Sequence, residues 1–192
     1  MATLAEKYYQ NLLQIITSIK VSDQKGTALD FYDGIESVGA LLVSQAASGR
    51  KLMFIGNGAS AAISSHMASD YSKNGGLRAM AFNDIALLTA VSNDWGYQHV
   101  FEKPITMFAE EGDVLFAISS SGQSENILQG VQAARQKACT IVTLSGFNAD
   151  NPLRSLGEVN FYVPSPNYGP VEIIHHSICH CILDVIMTKR NM

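Results

Sequence analysis

A chain of 192 residues that is 47% hydrophobic and only 16% charged has apolar material for one domain with a sizeable core. Its formal charge of -4, with no Lys/Arg cluster, excludes a nucleic-acid surface built on positive charge. The low charged fraction also points to more buried surface than a monomer would hide, hence to an oligomer.

Tyr8, Leu12, Ile15, Ile16 and Ile19 recur at the helical period. Phe31, Ile35, Val38, Leu41, Leu42 and Ala46 repeat it before Gly49 closes the run, so 1–49 is expected to be helical. The N-terminus shows no basic region followed by an apolar run. Apolar stretches elsewhere read as too short or interrupted to span a bilayer, so a cytoplasmic location and no membrane partner are expected. Cys139, Cys179 and Cys181 form no CxxC pair and fit a reducing compartment; Cys179 and Cys181 read as core.

Beyond Gly49, short apolar runs at 51–55, 113–118, 139–144 and 158–163 read as buried strands, with helical segments between them. Near-continuous apolar strands suit a mainly parallel sheet covered on both faces. The expected fold is therefore a three-layer α/β sandwich, roughly five-stranded, preceded by two helices, in a single domain over 1–192.

The first strand runs into Gly56-Asn57-Gly58 and then a helix beginning near Ser60. This is neither a full dinucleotide fingerprint nor a nucleotide P-loop, since the third glycine and the lysine are missing. The second strand feeds Ser119, Ser120, Ser121 and Ser124, again at a helix start, where free backbone N–H groups favour an anion. Two hydroxyl-bearing turns without an Arg or Lys fork suit the single phosphate of a small metabolite. The same serines could act as helix caps alone. Between the two turns, Asn93-Asp94-Trp95-Gly96 places an amide, a carboxylate and an indole where a loop could hold sugar hydroxyls; an Asx turn over a buried Trp95 is the alternative.

Two segments carry candidate ligands. His66 and Asp70 lie four residues apart, and Glu172, His176 and His180 succeed one another at four-residue steps on an apolar tail. Facing each other, such groups would supply nitrogen and oxygen donors to a divalent metal, with zinc favoured by the imidazoles. Glu172 and His180 are about 12 Å apart along a helix axis, so spacing alone prefers His176 with either neighbour.

Together these motifs resemble the sugar isomerase (SIS) domain family and, within it, the phosphoheptose isomerases, which interconvert sedoheptulose 7-phosphate and D-glycero-D-manno-heptose 7-phosphate. The resemblance is carried by Gly56-Asn57-Gly58 with Ser60, by His66 ahead of a carboxylate, and by Ser92 to Gly96. Gly112-Asp113-Val114-Leu115, Ile118 to Ser124 with Asn126, and the Glu172 to His180 spacing complete it. It implies phosphate binding by the loop serines and a sugar site at Asn57, Gly58, Asn93, Asp94 and Glu172. One Zn2+ per active site, on His66, Asp70, Glu172 and His180, is implied as well, with Asp70 and His180 as the acid/base pair. It further implies a homotetramer with interface active sites, residues 1–49 serving the assembly.

The chain departs from the family's usual Glu at Asp70, Gln at Glu172, and Gly and His at Ala59 and Ala61. An Asp-Arg pair is replaced by Gly169-Pro170. Another phosphosugar as substrate, or a non-catalytic adaptor of this family that binds a protein partner, are the alternative readings.

Overall fold

The computed structural model describes residues 2–190, so Met1, Asn191 and Met192, the ends of the expected 1–192 unit, lie outside the described residues. Helices α1 (Leu4–Ile16) and α2 (Phe31–Ala47) come first, separated by a small ribbon of β1 (Lys20–Asp23) and β2 (Ala28–Leu29). Then follow β3 (Leu52–Gly56), α3 (Ala59–Lys73), β4 (Ala79–Ala81), α4 (Ile85–Trp95) and α5 (Glu102–Phe108). The chain continues through β5 (Val114–Ser119), α6 (Glu125–Gln136), β6 (Thr140–Ser145), β7 (Val159–Tyr162) and α7 (Tyr168–Arg190).

Among the described residues the sheet has seven strands, in the order β2-β1-β7-β6-β5-β3-β4. From β7 to β4 it is parallel. The ribbon adds two antiparallel strands at the β7 edge, which corrects the expectation of a purely helical 1–49 and of roughly five strands. It escapes periodicity because β1 buries only Val21 and β2 is exposed. Its turn is held instead by Asp23, whose Oδ1 accepts from the N–H groups of Lys25 and Thr27, with Gly26 at φ 80°.

Alternate strand residues serve two cores. Leu52, Phe54, Phe116, Ile118, Val142 and Leu144 join α2, α3 and α7 on one face; Met53, Ile55, Leu115, Ala117 and Ile141 join α4, α5 and α6 on the other. The unbroken apolar runs follow from this double coverage. Register then positions the site: Gly56 pairs with Ile118 and Ser119 with Ser145, so the chain leaves β3, β5 and β6 at one edge, side by side.

α7 has 23 residues and is, by length and composition, long and apolar enough to cross a membrane, contrary to the sequence reading. Here its apolar stripe, Ile174, Ile178, Ile182 and Ile186, lies in the core. Cys179 and Cys139 are buried and their thiols are pushed up to about 12 and about 11 by burial, whereas Cys181 is exposed rather than core. His175 is wholly buried, with its Nε2 3.1 Å from the Ser145 carbonyl, and burial pushes it from the usual 6.5 down to about 4.

The unfolded chain therefore takes up a proton on His175 that the folded chain refuses. Stability from this group is complete above pH 6.5 and is lost as pH falls towards 4, by about 3 kcal/mol in all. Urea unfolding at pH 7 and pH 4.5 is expected to show a drop that shrinks in His175→Gln.

Candidate functional site

At the edge where β3 and β5 end, their two following turns form one cavity of about 240 Å3. It is lined by Asn57, Gly58 and Ser60 from the first turn, Ser119, Ser120, Ser121 and Ser124 from the second, and Tyr168 and Glu172 from α7. The first turn demands glycine: a Cβ on Gly56 would lie 2.5 Å from the Ser60 carbonyl oxygen, and Gly58 has φ 55°. This lets α3 start directly on the strand end. The second turn is braced from the β6 side. The Gly146 N–H donates to the Ser120 carbonyl at 3.0 Å and the Leu153 N–H to the Gly122 carbonyl at 3.1 Å.

The cavity's chemistry is that of an anion cradle made of neutral donors. Neither α3, capped by Gly58, nor α6, capped by Ser124, has a side chain bonded to its first-turn N–H groups. The Ala61 and Ala62 N–H groups already donate to the Asn57 and Gly58 carbonyls and those of Ile127 and Leu128 to the Ser124 carbonyl, which leaves the N–H groups of Ala59, Ser60, Glu125 and Asn126, with the positive end of each helix dipole, for an anion. Ser60, Ser119 and Ser120 are buried around them, and the Ser119 and Ser124 hydroxyls are 3.5 Å apart. Among the described residues no lysine or arginine lines the cavity, and Glu172 is its one carboxylate.

Asn57 is fixed by a reciprocal amide pair with Asn126, both bonds 2.9 Å, and its Oδ1 also accepts from the Tyr97 hydroxyl at 3.0 Å. This joins the starts of α3 and α6. Asn93 and Asp94 lie in the last turns of α4 rather than on a loop, their side chains hydrogen-bonded to each other at 2.9 Å and absent from the cavity wall. Trp95 is half exposed, not buried, with the Lys103 ammonium 5.5 Å from its ring centre. Tyr97, just past α4, and Tyr168, the first residue of α7, carried no sequence signal, since a lone tyrosine at a helix boundary has no period or motif to mark it.

The second cluster lies beside the cavity, where α3 and α7 face each other. His66 Nε2 is 3.3 Å from Asp70 Oδ2, and His180 Nδ1 is 4.0 Å from the same oxygen. His176 completes a triangle of rings, its centre 5.1 Å from that of His66 and 4.6 Å from that of His180, with His66 and His180 5.5 Å apart. One ligand atom from each of His66, His176 and His180 falls within 4.8 Å of the others, so the three imidazoles can coordinate a divalent metal. Burial, then the neighbouring His180 and His66, hold His176 below the usual histidine value, which favours the neutral ring that a metal needs. Among the described residues its Nε2 is buried without a hydrogen-bond partner, as is the Nδ1 of the core residue His175.

Ser60 and His66 are about 9 Å apart along α3, and Glu172 and His176 about 6 Å along α7. A molecule anchored by phosphate in the cavity must extend one to two helical turns to reach the imidazoles.

The family model for the SIS domain matches residues 7–146. The chain is 33% identical over 189 residues to a phosphoheptose isomerase of Hamiltonella defensa, covering 95% of this chain and 88% of the relative. Its fold is similar to that of a solved phosphoheptose isomerase from Neisseria gonorrhoeae, with TM-score 0.82 and 27% identity over 96% of this chain and 99% of that one. The enzyme from Francisella tularensis matches with TM-score 0.82 and 28% identity, covering 97% and 98%.

Proposed function

The chain belongs to the SIS domain family and, within it, to the phosphoheptose isomerases, and from this we infer that it isomerises a sugar phosphate between aldose and ketose forms. The substrate proposed is sedoheptulose 7-phosphate, converted to D-glycero-D-manno-heptose 7-phosphate. The observation that carries the reading is the pairing of an anion cradle with an acid/base cluster one to two helical turns away. A seven-carbon chain with its phosphate at one end and its carbonyl at the other suits that separation.

Aldose-ketose exchange moves a proton between C1 and C2 through a cis-enediol. Ser60, Ser119, Ser120, Ser121, Ser124 and the two helix starts hold the phosphate, turning remote binding energy into alignment of the carbonyl end. Asn57, Gly58 and Glu172, which line the cavity, contribute to the sugar site. Asp70 takes the proton from C1 and returns it at C2, while His180 moves protons between the two oxygens. The carboxylate lies against the His66 and His180 rings, which keep it oriented. A divalent cation at the imidazoles, zinc by donor type, supplies polarisation of the carbonyl when bound.

The cluster is half open, with His66 and His180 side chains 51% and 39% exposed. Leu4, Tyr9, Leu13 and Tyr32 on α1 and α2 are also exposed apolar surface. These features support self-association in which 1–49 contributes to assembly and a neighbouring subunit covers the site; the assembly proposed is a homotetramer and the location cytoplasmic.

A panel of ketose phosphates of five to seven carbons, incubated with zinc-loaded protein and followed by NMR, tests the reading. Aldose formation is expected to be fastest with the seven-carbon substrate. Turnover of a shorter sugar alone would replace the substrate, and no turnover of any would favour a non-catalytic binding role.

A further inference from the structure

We propose that His176, and not Glu172, completes the metal site with His66 and His180, leaving Glu172 as a substrate-facing group of the cavity. The carriers are independent of the isomerase reading. On α7, His176 is one turn from His180 and the two rings are stacked at a tilt, 4.6 Å between centres. Glu172 is two turns from His180, about 12 Å along the axis, and lies in the cavity wall with Ser60 and Tyr168. Three imidazoles from two helices thus bring their ligand atoms within 4.8 Å of one another without Glu172.

The state of His176 gives the second argument. Its Nε2 is buried and has no hydrogen-bond partner. A buried polar atom left unpaired is costly; among the described residues no group hydrogen-bonds it, while the rings of His66 and His180 lie near enough to share a cation with it. A cation shared with His66 and His180 relieves it. The Asp70 Oδ2, 3.3 Å from His66 Nε2 and 4.0 Å from His180 Nδ1, is near enough to orient both imidazoles. The donor set is all nitrogen, which suits zinc or cobalt over magnesium or calcium.

Zinc alone is the probe. In the wild-type protein, titration with zinc should shift the imidazole signals of His66, His176 and His180 in long-range 1H–15N NMR spectra and leave those of His99 and His175 in place. Competition with a chromogenic chelator should show zinc affinity at least about 100-fold weaker in His176→Ala and within about threefold of wild type in Glu172→Gln. An unmoved His176 signal, or loss of zinc in Glu172→Gln with retention in His176→Ala, would overturn the assignment. The wild-type spectrum decides the matter even if a variant folds poorly. Isomerase assays, read separately, distinguish a failure of this site from a failure of the proposed function.

Discussion

Asp70→Asn is expected to lower kcat by about 100- to 10,000-fold, with kcat/KM falling in parallel and little change in stability. The amide keeps the size of the side chain but cannot accept a proton from carbon. Asp70 is partly exposed, 21% for its side chain. Its partners, His66 at 3.3 Å and His180 at 4.0 Å, lose the orienting charge, so zinc affinity should also fall, though less than in His176→Ala. Steady-state kinetics on zinc-saturated protein separate the two effects. Activity above half of wild type would remove Asp70 from the role of base. Asp70→Glu lengthens the carboxylate by one methylene and should retain far more activity than the amide.

The second large effect concerns Ser124. Aspartate is as good a helix N-cap as serine, and its charge favours the positive end of the α6 dipole, so Ser124→Asp should fold as well as wild type or melt slightly higher. The same charge stands in the cavity where the phosphate is proposed to bind, close to Ser119 and in addition to Glu172. KM for a sugar phosphate is expected to rise about 100-fold or more, since a charge-assisted hydrogen bond is replaced by like-charge repulsion. Competitive inhibition by inorganic phosphate should disappear with it. A stable variant with unchanged KM would remove Ser124 from the phosphate site.

Much of this site was legible because strand ends are the most strongly patterned part of such a chain. The runs 51–55 and 113–118 are apolar on both faces, so the residues that follow them must emerge at the sheet edge, and hydroxyls there meet helix starts. Periodicity could not see β1, β2 and β4, which are short and half-buried at best, and whose places depend on hydrogen bonds from Asp23, Asn160 and the neighbouring strands. It also could not decide among the histidines. His175, His176 and His180 look alike in sequence, yet one is sealed in the core against Ser145 and two face His66, because successive helical residues are about 100° apart around the axis. Spacing favoured His176 as a ligand and the family resemblance favoured Glu172. The packing of α3 against α7 gives the first of these its physical basis.

The most direct measurement is 1H NMR of sedoheptulose 7-phosphate with zinc-loaded protein in D2O. The account predicts an aldose 7-phosphate carrying deuterium at C2, since the proton passes through a group that exchanges with solvent, and predicts its absence with Asp70→Asn. Aldose formed at the wild-type rate by Asp70→Asn, or no aldose from the wild-type protein, would contradict it.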